Sequence, residues 1–326
     1  MPSLITHHIF ALEVYKKISK NNPIKLTDNL QTYLAFAQSH DYLFHFYSLN
    51  FKKAKKIRDL GHKAHKQKTQ AYLINIIQTI KKYHLENYEP AIAYLYGSIT
   101  HYVLDTTFHP FIFYKTGVYN KNKKETLKYK GQHTHIEKDI DAYYYKKYFK
   151  KEYKTCNVPK DIIKNPKFPV ELLTLINIAY NNTYNEKNIG LYYKQSIKKA
   201  KLFYRIIIND RLGIKRTIYK LLDNIFNHHM SYLSSYSTHI TNPNIEYLNL
   251  EHKEWFHPCN KKDKYNYSFD DLIDISLKKT LKIIEIVNMV LYENKDISIL
   301  ENIIPNLSYS TGLPLDENRT MKFFEY

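Results

Sequence analysis

Pro90-Ala-Ile-Ala-Tyr-Leu-Tyr-Gly97-Ser-Ile-Thr-His101-Tyr-Val-Leu-Asp105-Thr-Thr-Phe-His109-Pro110 is the stretch whose reading decides the fold. It reads as one strongly apolar helix. Pro110 is expected to end it, because the residue before a proline is pushed out of the α region. His109 would then sit at a helix end with its ring turned inward. Residues four apart on a helix stand one above the other, so His101, Asp105 and His109 form one polar column on an otherwise apolar element. A second column follows in His133-Thr-His-Ile-Glu137-Lys-Asp-Ile-Asp141. Imidazoles and carboxylates gathered on inward faces are costly to desolvate unless a cation sits between them. Zinc, which takes His nitrogen and carboxylate oxygen, is the usual solution.

Helical periodicity extends outward from these columns. Thr6–Lys17 and Thr27–Gln38 read as helices, the second capped by Asp28. Lys52–Tyr83 reads as one or two helices around Gly61, and Lys115–Gly131 as a Lys- and Asn-rich loop. Helices are expected over His133–Tyr148, Glu171–Tyr184, Ile189–Phe226 and Phe269–Glu293. Ser231–Tyr267 is turn-rich, and the chain after Ile303 is irregular. With no strand ladder in view, the expectation is an all-α fold, helices packed around a polar centre. Residues 1–230 would carry the metal cluster, and 231–326 would form a loop-plus-helix extension packed on the same domain.

Composition narrows the functions. The chain has 326 residues and only 7 glycines, and it lacks the Gly-rich motifs of P-loop and dinucleotide chemistry. A net charge of +18 favours anionic partners: phospholipid headgroups, nucleic acid or phosphorylated substrates. Cys156 and Cys259 are too few for a disulfide framework or a Cys-type zinc site. The N-terminal residues do not read as a secretory signal and no apolar run is long enough to span a bilayer, so the expected location is the cytoplasm, with peripheral contact to an anionic membrane left open. Eleven of the 16 histidines lie at or before position 135 and none between 136 and 227. The early ones travel with acids, which favours a metal cluster over scattered core histidines. His228, His229, His239, His252 and His257 have no acid at ligand spacing and read as surface or loop residues. Trp255 reads as an anchor for the C-terminal segment.

The order Thr6-His7, Ala37-Gln-Ser-His40-Asp41, Leu60-Gly61 to His65, Gly97 to His101, Asp105, His109-Pro110 and His133-x-x-x-Glu137 resembles the zinc-dependent phospholipase C family, whose helical fold is shared by single-strand-specific zinc nucleases. Tyr247 to Pro258 is similar to a further segment found in that family. The resemblance implies one zinc on Asp41, His65, His101 and Asp105. It implies a second on His109, His133 and Glu137. A third would share Asp105 and take His7, or His8 in its place, with the amine and carbonyl of the first residue. The family's secreted phospholipases begin with a ligating Trp, whereas this chain begins Met1-Pro2, so two zinc ions are expected and a third is left open.

His62 competes with His65, and His135 with His133. His40 would orient the Asp41 carboxylate. Asp141 is expected to be an exposed carboxylate or one arm of a helix salt bridge ahead of a ligand. The implied activity is phosphodiester hydrolysis of phospholipase C type, with metal-bound hydroxide attacking phosphorus, Asp105 bridging metals and Asp41 accepting the water proton. The alternatives are a single-strand nuclease on the same metals, and a non-catalytic basic protein that binds membrane or RNA.

Overall fold

The computed structural model describes residues 4–18, 26–226 and 232–325. His228 and His229 lie outside the described residues, as do Met1 and Pro2. The fold is all-α. Its axis is the helix α5, Glu89–Thr116, of which nearly every residue is buried. Around it pack α1 (Leu4–Ile18), α2 (Leu30–Phe36), α4 (Thr69–Lys82), α6 (Gln132–Phe149), α7 (Val170–Tyr184) and α10 (Phe269–Tyr292). Helices α3 (Phe51–Lys66), α8 (Ile189–Phe203), α9 (Ile214–Ile225) and α11 (Ile299–Ile303) complete the set. Among the described residues no helix is long and apolar enough to cross a membrane.

The central helix does not stop where the sequence suggests. Pro110 lies inside α5, which continues to Thr116. His109 is therefore an interior helical residue. A proline costs the carbonyl four residues earlier its helical N–H donor. That carbonyl belongs to Thr106, and the backbone of Gly312 lies directly against it, so closely that a Cβ on Gly312 would come within 2.3 Å of the oxygen. Gly312 also has φ +64°, a conformation glycine tolerates best. A segment 200 residues downstream in sequence thus covers the defect at Pro110.

Other boundaries shift for local reasons. Helix α2 begins only at Leu30, with Asn29 at its cap position and Asp28 before it. Gly61 sits within α3, and the break before α4 falls at Gln67–Lys68 instead, where Lys68 adopts φ 54°. The helical pattern over 189–226 is carried by two helices: α8 passes into a π-helical turn, Tyr204–Ile208, and the chain turns at Gly213 (φ +80°) before α9. The Lys115–Gly131 loop contains a 3₁₀ segment, Lys124–Tyr129.

The sequence reading missed one small hairpin, β1 (Trp255–His257) against β2 (Asn260–Tyr265). Its strands are too short to show an alternating pattern, and Pro258 lies in the turn between them. Trp255 anchors the hairpin: its buried ring meets Phe111, Tyr114 and Tyr265, and its Nε1 donates to the Tyr267 carbonyl at 3.1 Å. His257 is buried, against the expectation of a surface residue. Its Nε2 lies 2.9 Å from the Thr311 carbonyl and its Nδ1 accepts the Cys259 N–H at 3.1 Å.

Candidate metal centre

Five elements deliver the polar residues of the site, two of them carrying the columns, to one place. Helix α5 supplies His101, Asp105 and His109, and α6 supplies His133 and Glu137. His7 comes from α1, His65 from the last turn of α3, and Asp41 from the 3₁₀ segment Ser39–His45. Three groups result, each with ligand atoms within 4.8 Å of one another: His7, His101 and Asp105; Asp41, His65 and His101; His109, His133 and Glu137. His101, Asp105 and His7 have no exposed surface at all.

Asp105 is the hub. Its Oδ1 lies 3.1 Å from His7 Nε2, and its Oδ2 lies 3.6 Å from His101 Nε2, 3.8 Å from His65 Nε2 and 3.8 Å from His109 Nδ1. None of these approaches has hydrogen-bond alignment, and both Asp105 oxygens, both nitrogens of His7 and of His101, and Asp41 Oδ2 are buried with no hydrogen-bond partner. Buried polar atoms are paired in the great majority of cases. So many orphans converging on one point fit a cation, and their chemistry, imidazole nitrogen with carboxylate oxygen, fits zinc.

Two rings are aimed by backbone carbonyls. His65 Nδ1 lies 2.7 Å from the Gly61 carbonyl and its Nε2 lies 3.0 Å from Asp41 Oδ1. A carbonyl only accepts, so Nδ1 carries a proton and Nε2 faces the site. His109 Nδ1 lies 2.8 Å from the Tyr309 carbonyl, which leaves Nε2 as its ligating atom.

Burial dominates the electrostatics. It pushes Asp105 up and holds His101 and His109 well below the ordinary imidazole range, in His101 reinforced by the neighbouring His7 and His65. These rings stay neutral, the form a metal requires. His65 moves the other way: burial opposes its charge, but the Asp41 hydrogen bond and the Asp41 and Asp105 carboxylates outweigh it. In Glu137 burial raises the pKa, and His133 at 2.9 Å more than reverses this.

His62 is exposed, its ring against Phe44. His8 is buried with a pKa pushed down to about 4 by burial and Lys164, and lies outside the three groups. His135 approaches Asp139 at 3.8 Å and rests against Tyr247. His40 does not bond Asp41: its Nδ1 meets the Tyr180 hydroxyl at 2.7 Å, while its ring stands beside His65 and His101.

Asp141 is not exposed, and it is one arm of a helix salt bridge. It is fully buried, accepts the N–H and hydroxyl of Thr6 at 2.9 Å each, and pairs with Lys138 at 3.7 Å. A carboxylate against the N-terminal turn of a helix meets unpaired N–H groups and the positive end of the dipole. Asp141 thereby fixes the turn that carries His7. Asp141→Ala is expected to cost about 2–3 kcal/mol, read by denaturant unfolding, since hydrogen bonds to a charged acceptor are lost.

Sequence reasoning overlooked Tyr309, His45 and Lys138. Tyr309 packs its ring on His40, His65 and His101, and its N–H donates to the His65 carbonyl at 3.1 Å. Nothing in its neighbourhood in sequence signals this. His45 and Lys138 line a cavity of about 300 Å³ that reaches Asp41, His133 and Glu137 and is otherwise walled largely by aromatic rings, among them Tyr42, Phe44, Phe203 and Tyr204. Burial lowers His45 to about 4. His45 lies four residues beyond Asp41, a spacing that could have singled it out.

Comparison with known proteins agrees with this arrangement. The model of the zinc dependent phospholipase C family matches residues 5–190, more than half of the chain. No curated protein and no solved structure matches it. The matched stretch contains every member of the three groups, and the chain belongs to the zinc-dependent phospholipase C family.

Proposed function

We propose that this protein is a zinc-dependent phosphodiester hydrolase acting on phospholipid. The observation that carries the reading is the gathering of three donor groups around Asp105, two of which reach the wall of a largely aromatic cavity through Asp41, His133 and Glu137. Asp41, His65, His101 and Asp105 would hold one ion; His109, His133 and Glu137 would hold a second. His7 with Asp105 offers a third, whose remaining ligands, the amine and carbonyl of the first residue, fall outside the described residues. Zinc held there supplies Lewis acidity toward phosphoryl oxygens and toward the attacking water.

The chain's own residues do the rest. Asp41 belongs both to a donor group and to the cavity wall, so its carboxylate is placed to take the water proton. Lys138, paired with Asp141 at 3.7 Å, lines the same wall. Tyr42, Phe44, Phe203, Tyr204 and Tyr236 exclude water and bear on the apolar part of the substrate. Residues 231–326 belong to the same catalytic unit as 1–230, because Tyr309 orients His109 and covers His65.

The raised pKa of His65 sets a pH dependence. In the metal-free protein its Nε2 proton is held by Asp41, and a metal must displace that proton. Lower pH fills the proton site, so zinc affinity and turnover are expected to fall as pH drops through the range where His65 titrates, with proton release on zinc binding. Isothermal titration in buffers of different ionisation enthalpy measures that release; an uptake that is independent of pH would count against the assignment of His65.

Phosphatidylcholine, phosphatidylglycerol and single-stranded DNA assayed side by side test the substrate class. Phosphate-monoester and diacylglycerol release from lipid is the expected outcome. Cleavage of DNA alone would favour the nuclease, and turnover of neither the non-catalytic binding protein.

A further inference from the structure

Helix α9 is inside out. Its sequence, Ile214-Lys-Arg-Thr-Ile218-Tyr-Lys-Leu221-Leu-Asp-Asn-Ile225, repeats apolar residues at steps of four, three and four, which gather on one face. On a surface helix that face ordinarily turns to the core. Here Ile214, Ile218, Leu221 and Ile225 are 59%, 49%, 58% and 70% exposed. The opposite, polar face does the packing. Asp223 is buried and accepts the N–H groups of Leu233 at 2.8 Å and Ser234 at 2.9 Å, and the Tyr219 hydroxyl donates to the Ile207 carbonyl at 3.0 Å. Leu212 and Phe226, at either end, are exposed as well. An aligned stripe of this kind differs from the scattered apolar residues of an ordinary surface.

We propose that this face docks on an anionic phospholipid bilayer. The charges around it select the occupant. Between residues 211 and 226 the charged side chains are Arg211, Lys215, Arg216, Lys220 and Asp223, and the one carboxylate is the buried one. Arg211 and Lys220 are exposed, whereas Lys215 and Arg216 are half-buried; an aliphatic stripe with exposed cations and no exposed carboxylate beside it is what an interfacial helix presents to acyl chains and anionic headgroups. A second copy of this chain would oppose cations to cations. A nucleic acid would meet the cations but leave the aliphatic stripe in water. At 12 residues the helix is too short to span a bilayer.

Its position supports the same occupant. The turns that α9 packs against are those that wall the cavity: Phe203, Tyr204, Ile208 and Tyr236 line it. Lys215 Nζ donates to the Asn209 carbonyl at 2.6 Å, tying α9 to the end of that segment. Leu202 and Ile206, on the same turns, are exposed. A bilayer held on α9 would lie beside the rim of the cavity. The choice of lipid rests on the phospholipid reading above, but docking and turnover are measured separately.

The test uses the full chain and vesicles of phosphatidylcholine alone or mixed equally with phosphatidylglycerol, read by co-sedimentation. The wild type is expected to bind the mixed vesicles, more weakly the neutral ones, and less in high salt. Ile218→Ser with Leu221→Ser should weaken binding about tenfold, and Lys220→Glu about fivefold at low salt. Zinc content, melting temperature and hydrolysis of a monomeric short-chain phospholipid should be unchanged in both. Equal vesicle binding by the double variant, or none by the wild type, overturns the proposal. So does a wild-type dimer that the double variant abolishes, or full displacement from vesicles by poly(U) RNA. A wild type that binds vesicles through α9 but hydrolyses no phospholipid upholds the docking face and sinks the substrate reading.

Discussion

Asp105→Asn is expected to abolish phospholipid hydrolysis, by at least about a thousandfold, a barrier increase of about 4 kcal/mol. It is also expected to release most of the bound zinc. The substitution preserves volume, so packing around α5 is kept. What it removes is the anion that four imidazoles surround: His7, His65, His101 and His109 all come within 3.8 Å of this one carboxylate. An amide is a poor zinc ligand and carries no charge to balance two cations. Because burial already raises the Asp105 pKa, the carboxylate does not stabilise the metal-free fold through its charge. The metal-free variant should therefore unfold at nearly the same denaturant concentration as metal-free wild type, while the zinc-loaded wild type should be distinctly more stable than either. A variant that loses activity yet keeps its full zinc would remove Asp105 from the ligand set.

Gly97→Ala is expected to have the largest effect on stability, about 3 kcal/mol or more. Gly97 lies one turn before His101, where α5 crosses α2. A Cβ there would stand 2.6 Å from the Tyr33 carbonyl oxygen, 2.6 Å from Phe36 Cβ and 2.8 Å from the Phe36 carbonyl carbon. Two of these three atoms are backbone, so no side-chain rotation relieves the clash and α2 must move off α5. The Ser39–His45 segment, which carries Asp41, follows α2 directly and would move with it. Thermal unfolding and zinc titration should thus report a lower melting temperature together with weaker zinc binding, although residue 97 touches no metal. A melting temperature within a degree of wild type would show that the two helices are not in such close contact.

Local spacing carried much of this into view from the sequence. The i, i+4 relation that aligns His101 with Asp105, and His133 with Glu137, is a property of the helix itself, and the structure brings both pairs into the three groups. What the sequence could not show depends on distant partners. Pro110 looked like a terminator because its cost is local, whereas the Gly312 backbone that covers the freed Thr106 carbonyl comes from the far end of the chain. Asp141 read as an exposed carboxylate or one arm of a helix salt bridge; its hydrogen bonds to the N-terminal turn of another helix have no local signal. Tyr309 carried no motif, yet its backbone binds one side-chain atom of the site, His109 Nδ1, and one backbone atom, the His65 carbonyl. Helix α9 has a clear helical period, but a period fixes which residues share a face and not which way the face points.

The most direct test of the metal centre is elemental analysis of the purified, untagged protein after dialysis against metal-free buffer. At least two equivalents of zinc per chain are expected, falling to one or fewer in Asp105→Asn. A folded wild-type protein that holds no metal, and takes up none when zinc is supplied, would contradict the account.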